Sequence, residues 1–491
     1  MTQSLLDSQS NPQQSPQLDP QRAYLDRFIV RYTQRTQTSK AIAQFSRSVL
    51  ADPRQSEWFS PTTKELCYLV VGERSQGSRV WDVNGNEYID LIMGFGANLL
   101  GHNPPLIKEA LQAQLEKGIQ LGPQAEYAGE VAALISELTG LERVAFSNTG
   151  TEAVMTAVRL ARAATQRTKI AVFTNSYHGH ADGVLVEPGF PLPSILQRLL
   201  GGLVSRLNAR AVPMAPGIPK VIAKNVLVLD YGNPESLQVI KAHRHQLAAV
   251  LVEPVQSQQP DLQPKAFLHD LRSITQDSGI ALIFDEMVTG FRLHLGGAQA
   301  WFGVEADIAT YGKVVGGGLP IGVIGGKAAY LDKIDGGQWA YGDDSYPSVE
   351  KTFFAGTHCK HPLSMAAARA LLHHLKQQGP TLQEQLNQRT ACFVEQFNAF
   401  LAVNSLPIQM AHFGSFFSPV FRQDASPCTI SALMPGFELL RYHLLDRGIL
   451  LRGEGGGFLS TAHTDDDINA ITQAMKDSIA ELQSAGFFPT S

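Results

Sequence analysis

The sequence predicts an α/β protein with a mostly parallel central sheet flanked by helices and a smaller α+β part beside it. Three observations carry this expectation. Short β-branched runs alternate with longer helical stretches between about residues 125 and 330, as parallel strands joined by crossover helices do. Polar and reactive residues follow the ends of four of those runs, where such sheets bind ligands. The chain has 491 residues, 44% of them hydrophobic, more than one core holds, because cores stop growing near ~250 to 300 residues. Two domains sharing one site are expected.

Residues 1–20 are dominated by Gln, Ser and Pro. They bury too little apolar surface to offset their ordering entropy and read as a disordered tail. Residues 21–115 form a helix and a β segment that join the smaller domain. From Gln21 to about Tyr32, the residues Tyr24, Leu25, Phe28, Ile29 and Tyr32 recur at helical spacing. Asn84-Gly85 lies between two β-prone runs within Gly77 to Leu91 and marks a hairpin. Residues 116–355 make the large domain, with strands at Val144 to Phe146, Ile170 to Phe173, Val226 to Leu229, Ala249 to Val252 and Ile280 to Phe284. Residues 356–491 form the C-terminal small domain, mainly helical at first. A strand-like stretch from Gly448 to Leu451 and a glycine-rich turn at Gly455 to Gly457 follow. A last helix starts near Asp465, where three aspartates complement the helix dipole.

A net charge of -5 and a pI near 6.3 leave no cationic footprint for nucleic acid or an anionic membrane. No stretch approaches the ~20 apolar residues of a membrane span. The N-terminus lacks a basic region followed by an apolar one, so a cytoplasmic protein acting on a small molecule is expected. Cys67, Cys359, Cys392 and Cys428 lack CxxC spacing and read as reduced thiols. His178-Gly179-His180 and His358-Cys359-Lys360-His361 have no third and fourth ligand at suitable spacing, and no metal site is expected.

The run Gly312 to Pro320, GKVVGGGLP, places Lys313 beside a glycine turn that permits close approach to the backbone. Val314 stands where a P-loop needs Ser or Thr, and no GxGxxG opens the first strand-helix turn, which weakens both nucleotide readings. Thr149-Gly150-Thr151-Glu152 leads into a helix whose buried face carries Val154, Val158 and Ala161. N–H groups and a hydroxyl at a helix N-terminus can hold an anion. Asp285 follows the buried run Ile280 to Phe284, where a carboxylate must be paired or functional. Glu286 beside it is expected to face a cationic partner. Pyridoxal 5′-phosphate requires a lysine for a Schiff base, a carboxylate to keep its pyridinium nitrogen protonated, and an anion site for its phosphate. Tyr177 adds a ring that can stack on it.

Six phrases occur in order: SNTGTEAVMTAVRLAR (Ser147 to Arg162), SYHGH (Ser176 to His180), VEPVQ (Val252 to Gln256), FDEMVTGFR (Phe284 to Arg292), YGKVVGGGLPIGVIGG (Tyr311 to Gly326) and FAGTHCKHPLSMAA (Phe354 to Ala367). Over roughly residues 75 to 475 the chain resembles the class III, or subgroup II, aminotransferases, which include glutamate-1-semialdehyde aminomutase. The resemblance implies the PLP-dependent transferase fold of type I, with Lys313 as Schiff-base lysine and Asp285 as pyridinium partner. Gly150 and Thr151 would cradle the phosphate, Tyr177 would stack on the ring, and Gln256 would approach the phenolic oxygen. Thr357 would reach the phosphate of the neighbouring subunit, which implies a homodimer.

The longer phrases GGAQAWFGVEADIATYGKVVGGGLPIG, VEPVQSQQPDLQP and TFFAGTHCKHPL most resemble aminotransferase modules of hybrid polyketide and nonribosomal peptide synthetases. Those modules aminate a carbonyl on a carrier-tethered acyl chain, as enzymes of secondary metabolism. The chain departs from the aminomutase pattern at Met93 to Gly96 (MGFG, in place of a Trp-bearing segment), at His358 to His361, and in an insertion from about Leu192 to Lys224. The expected reaction moves an amino group from an amino-acid donor such as glutamate or glutamine to a carbonyl substrate. A 3-oxoacyl chain, free or on an acyl carrier protein, is the candidate acceptor, and Phe190, Leu192, Ile195 and Leu199 are candidates to line its channel. The alternative is glutamate-1-semialdehyde 2,1-aminomutase, with intramolecular transfer. Arg452 offers a planar fork for a substrate carboxylate, with Glu454 to gate it.

Overall fold

The computed structural model describes residues 20–57, 59–189, 210–422, 425–453 and 455–489. Its central sheet holds β1 (Arg143–Ser147), β2 (Lys169–Phe173), β3 (Val226–Leu229), β4 (Leu247–Val252), β5 (Ala281–Asp285), β6 (Ile308–Tyr311) and β7 (Gly322–Gly326). Their order across the sheet is β1-β7-β6-β5-β4-β2-β3. Strands β2 to β6 are parallel, and β7 runs antiparallel to both its neighbours, β6 and β1. The mostly parallel sheet and its five expected strands are present.

Strands β4 and β5 are buried at every position, because each face of the sheet is covered. On one side Ala249, Leu251 and Ile283 pack with Val154, Ala157 and Leu160 of helix Gly150–Thr165. On the other, Val250, Val252 and Phe284 pack with Ile135 of helix Ala128–Thr139 and Leu271 of helix Lys265–Ser278. Strand β7 reads GVIGG, a poor strand sequence by propensity, and sequence patterning assigns it no strand. Its glycines answer to contact: a Cβ on Gly322 would lie 2.1 Å from the Thr149 carbonyl oxygen, and one on Gly325 2.6 Å from Leu141.

The N-terminal helix spans Pro20–Arg35 and buries Leu25, Phe28 and Tyr32. Of the expected tail, Pro20 opens this helix, and residues 1–19 lie outside the described residues. Strands Arg79–Asp82 and Glu87–Asp90 pair antiparallel around Asn84-Gly85. Asp82 Oδ1 stabilises the turn by accepting the N–H groups of Asn84 (2.9 Å) and Asn86 (2.8 Å). Strand Ile449–Leu450 joins Glu87–Asp90 in parallel, so the two ends of the chain share a sheet.

The stretch after Gly356, expected to be mainly helical, also carries a hairpin, Ile408–Phe413 with Phe416–Phe421. Gly414, at φ +56°, supplies the left-handed residue its turn needs. Helix Asp465–Ser484 opens on a capping box between Thr464 and Asp467, which accounts for the aspartate run. Within the insertion, strand Ala211–Pro213 pairs with Val186–Pro188, whereas Phe190, Leu192, Ile195 and Leu199 lie outside the described residues. Among the described residues no helix is long and apolar enough to cross a membrane.

Candidate active site

Three neighbouring strands, β4, β5 and β6, end at one edge and deliver the chemistry. Asp285 closes β5 with its side chain 2% exposed, and its Oδ2 lies 2.8 Å from His178 Nδ1. Its Oδ1 accepts the Met287 N–H at 3.2 Å. Glu253 follows β4 and is buried. Lys313 follows β6 after Gly312, opens a short 3-10 turn, Lys313–Gly316, and has φ +35°. Burial pushes its ammonium pKa down. The Asp285 and Glu253 carboxylates oppose that shift, and Arg452 and Arg292 add to it. A lysine biased toward its neutral form is a nucleophile.

The turn before helix Gly150–Thr165 is tied in both directions. Thr149 Oγ1 accepts the Glu152 N–H at 3.2 Å, and Glu152 Oε2 accepts the Asn148 N–H at 2.7 Å. The first-turn N–H groups of Gly150 and Thr151 have no carbonyl partner inside the helix. The loop carrying Tyr177 and His178 closes against this turn: a Cβ on Gly179, at φ +81°, would lie 2.5 Å from Thr151 Oγ1. The His180 N–H donates to that same oxygen at 3.3 Å. The Met287 sulfur lies against both Gly150 and Gly312, 2.8 Å from where a Cβ of either would be. One methionine therefore spaces the Gly150 turn from the Lys313 turn.

Tyr177 is 59% exposed, and its N–H donates to Glu253 Oε2 at 2.9 Å. Gln256 is fully buried and donates through Nε2 to the Thr174 carbonyl at 2.7 Å. Its Oε1 and His178 Nε2 find no hydrogen-bond partner among the described residues. Arg292 is also fully buried, donating to Ser415 Oγ (2.7 Å), the Leu459 carbonyl (3.3 Å) and the Gly96 carbonyl, with its guanidinium over the Phe458 ring. Burial lowers its pKa to about 9. The segment it holds, Met93 to Gly96, has positive φ at all four positions. Asp90 secures that turn by accepting the Ile92 and Met93 N–H groups at 2.7 and 3.2 Å, and Phe95 is left half-exposed.

Arg452 lies over the Phe416 ring at 5.6 Å, and Glu454 lies outside the described residues. Thr357 is exposed and borders a cavity of about 630 Å³ with Gly122, Ala125, Phe146 and Gly356. Among the described residues Glu286 meets no cation, contrary to expectation. It accepts from Thr289 Oγ1 (2.6 Å), Ala298 N (2.8 Å) and Gln299 N (3.0 Å), capping helix Gly297–Phe302. His361 Nδ1 accepts the Leu363 N–H at 3.3 Å and caps helix Pro362–Gln378.

Sequence reasoning gave no role to Glu253, Arg292 or Met287 and did not foresee the pairing of His178 with Asp285. Glu253 had a legible signal, since it ends a buried strand just as Asp285 does.

The profile of the family described as "Aminotransferase class-III" matches residues 60–479. A glutamate-1-semialdehyde 2,1-aminomutase 2 from an Exiguobacterium species is 35% identical over 422 residues, 84% of this chain and 90% of that protein. Among solved structures, an omega-transaminase from Sphaerobacter thermophilus superposes with a TM-score of 0.76 at 29% identity, covering 91% of this chain and 98% of that one. A transaminase with PLP bound superposes with a TM-score of 0.77 at 28% identity, covering 92% and 99%.

Proposed function

Since this chain belongs to the class-III aminotransferases and, as a transaminase or aminomutase, works with pyridoxal 5′-phosphate, we propose that Lys313 attaches the cofactor and that the amino group moves within one small substrate. The observation that carries the site is the partly buried Lys313, its pKa depressed, beyond strand ends that also carry the Asp285–His178 pair. The residues fit the cofactor: Gly150 opens the turn without a side chain of its own, Gly179 lets the neighbouring loop approach Thr151 closely, and His178 Nε2 and Gln256 Oε1 are buried polar atoms without a hydrogen-bond partner among the described residues.

When bound, the cofactor supplies an electron-withdrawing ring that spreads charge from the substrate carbon bearing nitrogen. Asp285, oriented by His178 and the Met287 amide, holds the proton on the ring nitrogen. Gly150 and Thr151 would present N–H groups to the phosphate, and Tyr177 would cover the ring face. Lys313 would move the substrate proton as a base, helped by a setting that favours its neutral form. The exposure of Thr357 supports a role for it in the site of a second copy, so a homodimer belongs to the proposal. A monomer fully active at low concentration would count against it. A cytoplasmic setting is part of the same reading and agrees with four free cysteines.

The 35% identity to an aminomutase supports intramolecular transfer, which reverses the ranking expected from sequence. Transfer from a separate amino donor is the second reading, favoured by the left-handed turn Met93 to Gly96 with its half-exposed Phe95 in place of a Trp-bearing segment. Arg452 serves either reading as carboxylate receptor, with Glu454 as its gate. A 3-oxoacyl or carrier-tethered acceptor rests on motif resemblance alone, and none of the relatives named above carries it in its name. The deciding assay supplies glutamate-1-semialdehyde without any donor, and separately a 3-oxoacyl thioester with amino donors. Isomerisation of the first is expected. Turnover only when a donor is present would install the second reading.

A further inference from the structure

Two carboxylates stand at the ends of neighbouring parallel strands, Asp285 in β5 and Glu253 after β4, and the reading above uses only Asp285. Glu253 is 5% exposed. Its Oε2 accepts the Tyr177 N–H at 2.9 Å and its Oε1 the Ser257 N–H at 3.4 Å. These amides belong to two separate loops, one carrying Tyr177 and the other carrying Gln256, which precedes Ser257 and anchors on Thr174. A single buried side chain thus ties together the two loops proposed to touch the cofactor. The charged and titratable groups that face it are His178, Asp285, Lys313 and Tyr231, whose hydroxyl donates to the Pro254 carbonyl at 2.7 Å.

We propose that Glu253 is a positioning residue for the cofactor, clamping the Tyr177 and Gln256 loops and setting the charge behind the His178–Asp285 pair. This rests on the cofactor site proposed above. Burial pushes the Glu253 carboxyl up to about 7; Asp285 adds to that, while His178 and the two amides pull it back. Below that pH the carboxyl is neutral and one of its oxygens carries a proton, so it is a poorer acceptor for two N–H donors. Above it the anion accepts from both, and its charge favours the protonated form of Lys313.

The test compares wild type with Glu253→Gln, which keeps the size but removes the charge and sets an NH2 group against one amide donor. Apoprotein is titrated with pyridoxal 5′-phosphate at pH values on either side of 7, following the yellow absorbance. Wild type should bind more tightly, with a changed spectrum, above the transition near pH 7. Glu253→Gln should lose that transition and bind about tenfold more weakly, the scale of losing one hydrogen bond to a charged group. Wild-type affinity with an unchanged transition in the variant would overturn the role. Equal melting temperatures of the two apoproteins separate positioning from general stability. If Glu253→Gln does not fold, Glu253→Asp replaces it: a retained transition with weakened affinity supports the clamp, and unaltered affinity overturns it. If wild type itself does not turn yellow, or borohydride fails to fix the cofactor on Lys313, the cofactor site falls and takes this role with it.

Discussion

Lys313 adopts φ +35°, a region that non-glycine residues occupy at a cost of about 1–3 kcal/mol. The packing that enforces it is the Met287 sulfur against Gly312 on one side and the buried Val314 and Val315 on the other. Lys313→Ala should remove covalent cofactor attachment and turnover while leaving thermal unfolding close to wild type. Substantial amination by that variant would overturn the assignment. Asp285→Asn should cost several orders of magnitude in turnover, because an unprotonated ring is a poor electron sink. Near-wild-type rates would remove Asp285 from its role. Gly179→Ala places a methyl 2.5 Å from Thr151 Oγ1 at a left-handed φ. It should weaken cofactor binding by about tenfold or more, the equivalent of ~1.4 kcal/mol, measured by equilibrium titration of the apoprotein. Lys313 and Asp285 were legible as residue types in a strand-end setting. The His178 partnership was not, because a contact spanning 107 positions leaves no local signature.

Among the elements, the strands and the helix starts explain which side chains arrive at the site. The buried runs of β4 and β5 carry only apolar residues until Glu253 and Asp285, so chemistry begins where burial by helices ends. Helix starts use their own acids: Asp467 with Thr464 in the last helix, Glu152 with Thr149 beside the anion turn, and Glu286 from a preceding loop. Thr464→Ala should lower stability by about 1 kcal/mol, the usual loss of an N-cap, read as a shift in denaturant midpoint with cofactor affinity unchanged. A shift in affinity without one in stability would show that this helix start serves the site instead. The aspartate run was readable from sequence as a helix start. The acceptor role of Glu286 was not, since its donors Ala298 and Gln299 lie beyond an intervening loop.

At the scale of the whole molecule, the N-terminal helix is fastened to the C-terminal ones around His443. Its ring stacks on Phe28 at 4.2 Å, and its Nε2 lies 3.1 Å from the Tyr24 hydroxyl. Tyr24 also donates to Glu481 at 2.5 Å, which in turn receives Arg31. Burial lowers His443 from 6.5 to about 4, with Arg447 and Arg31 acting the same way against Glu481. His463, buried behind Asp90 and Ser460, is lowered to about 4 as well. A depressed histidine pKa means that the unfolded chain binds more protons between pH 6.5 and 4 than the folded one. Stability is therefore full above about 6.5 and lost as pH falls through about 4, by at most about 3 kcal/mol per histidine. His443→Phe, which keeps the stack on Phe28, should flatten that acid loss in denaturant titrations across this window. An unchanged slope would place the acid sensitivity elsewhere.

The parallel strands, the hairpin at Asn84-Gly85, the lysine beside its glycine turn and the acid that ends β5 were determined by the sequence itself. Each is a local matter: side-chain period, turn conformation, or one residue's place at the end of a buried run. The tertiary structure alone decided that β7 is a strand, since its glycines are explained only by contact with Thr149 and Leu141. It also decided that His178 serves Asp285 and that Glu253 holds two loops at once. The physical reason is that a buried polar group must find its partner wherever the fold places one, and sequence distance sets no limit on where that is.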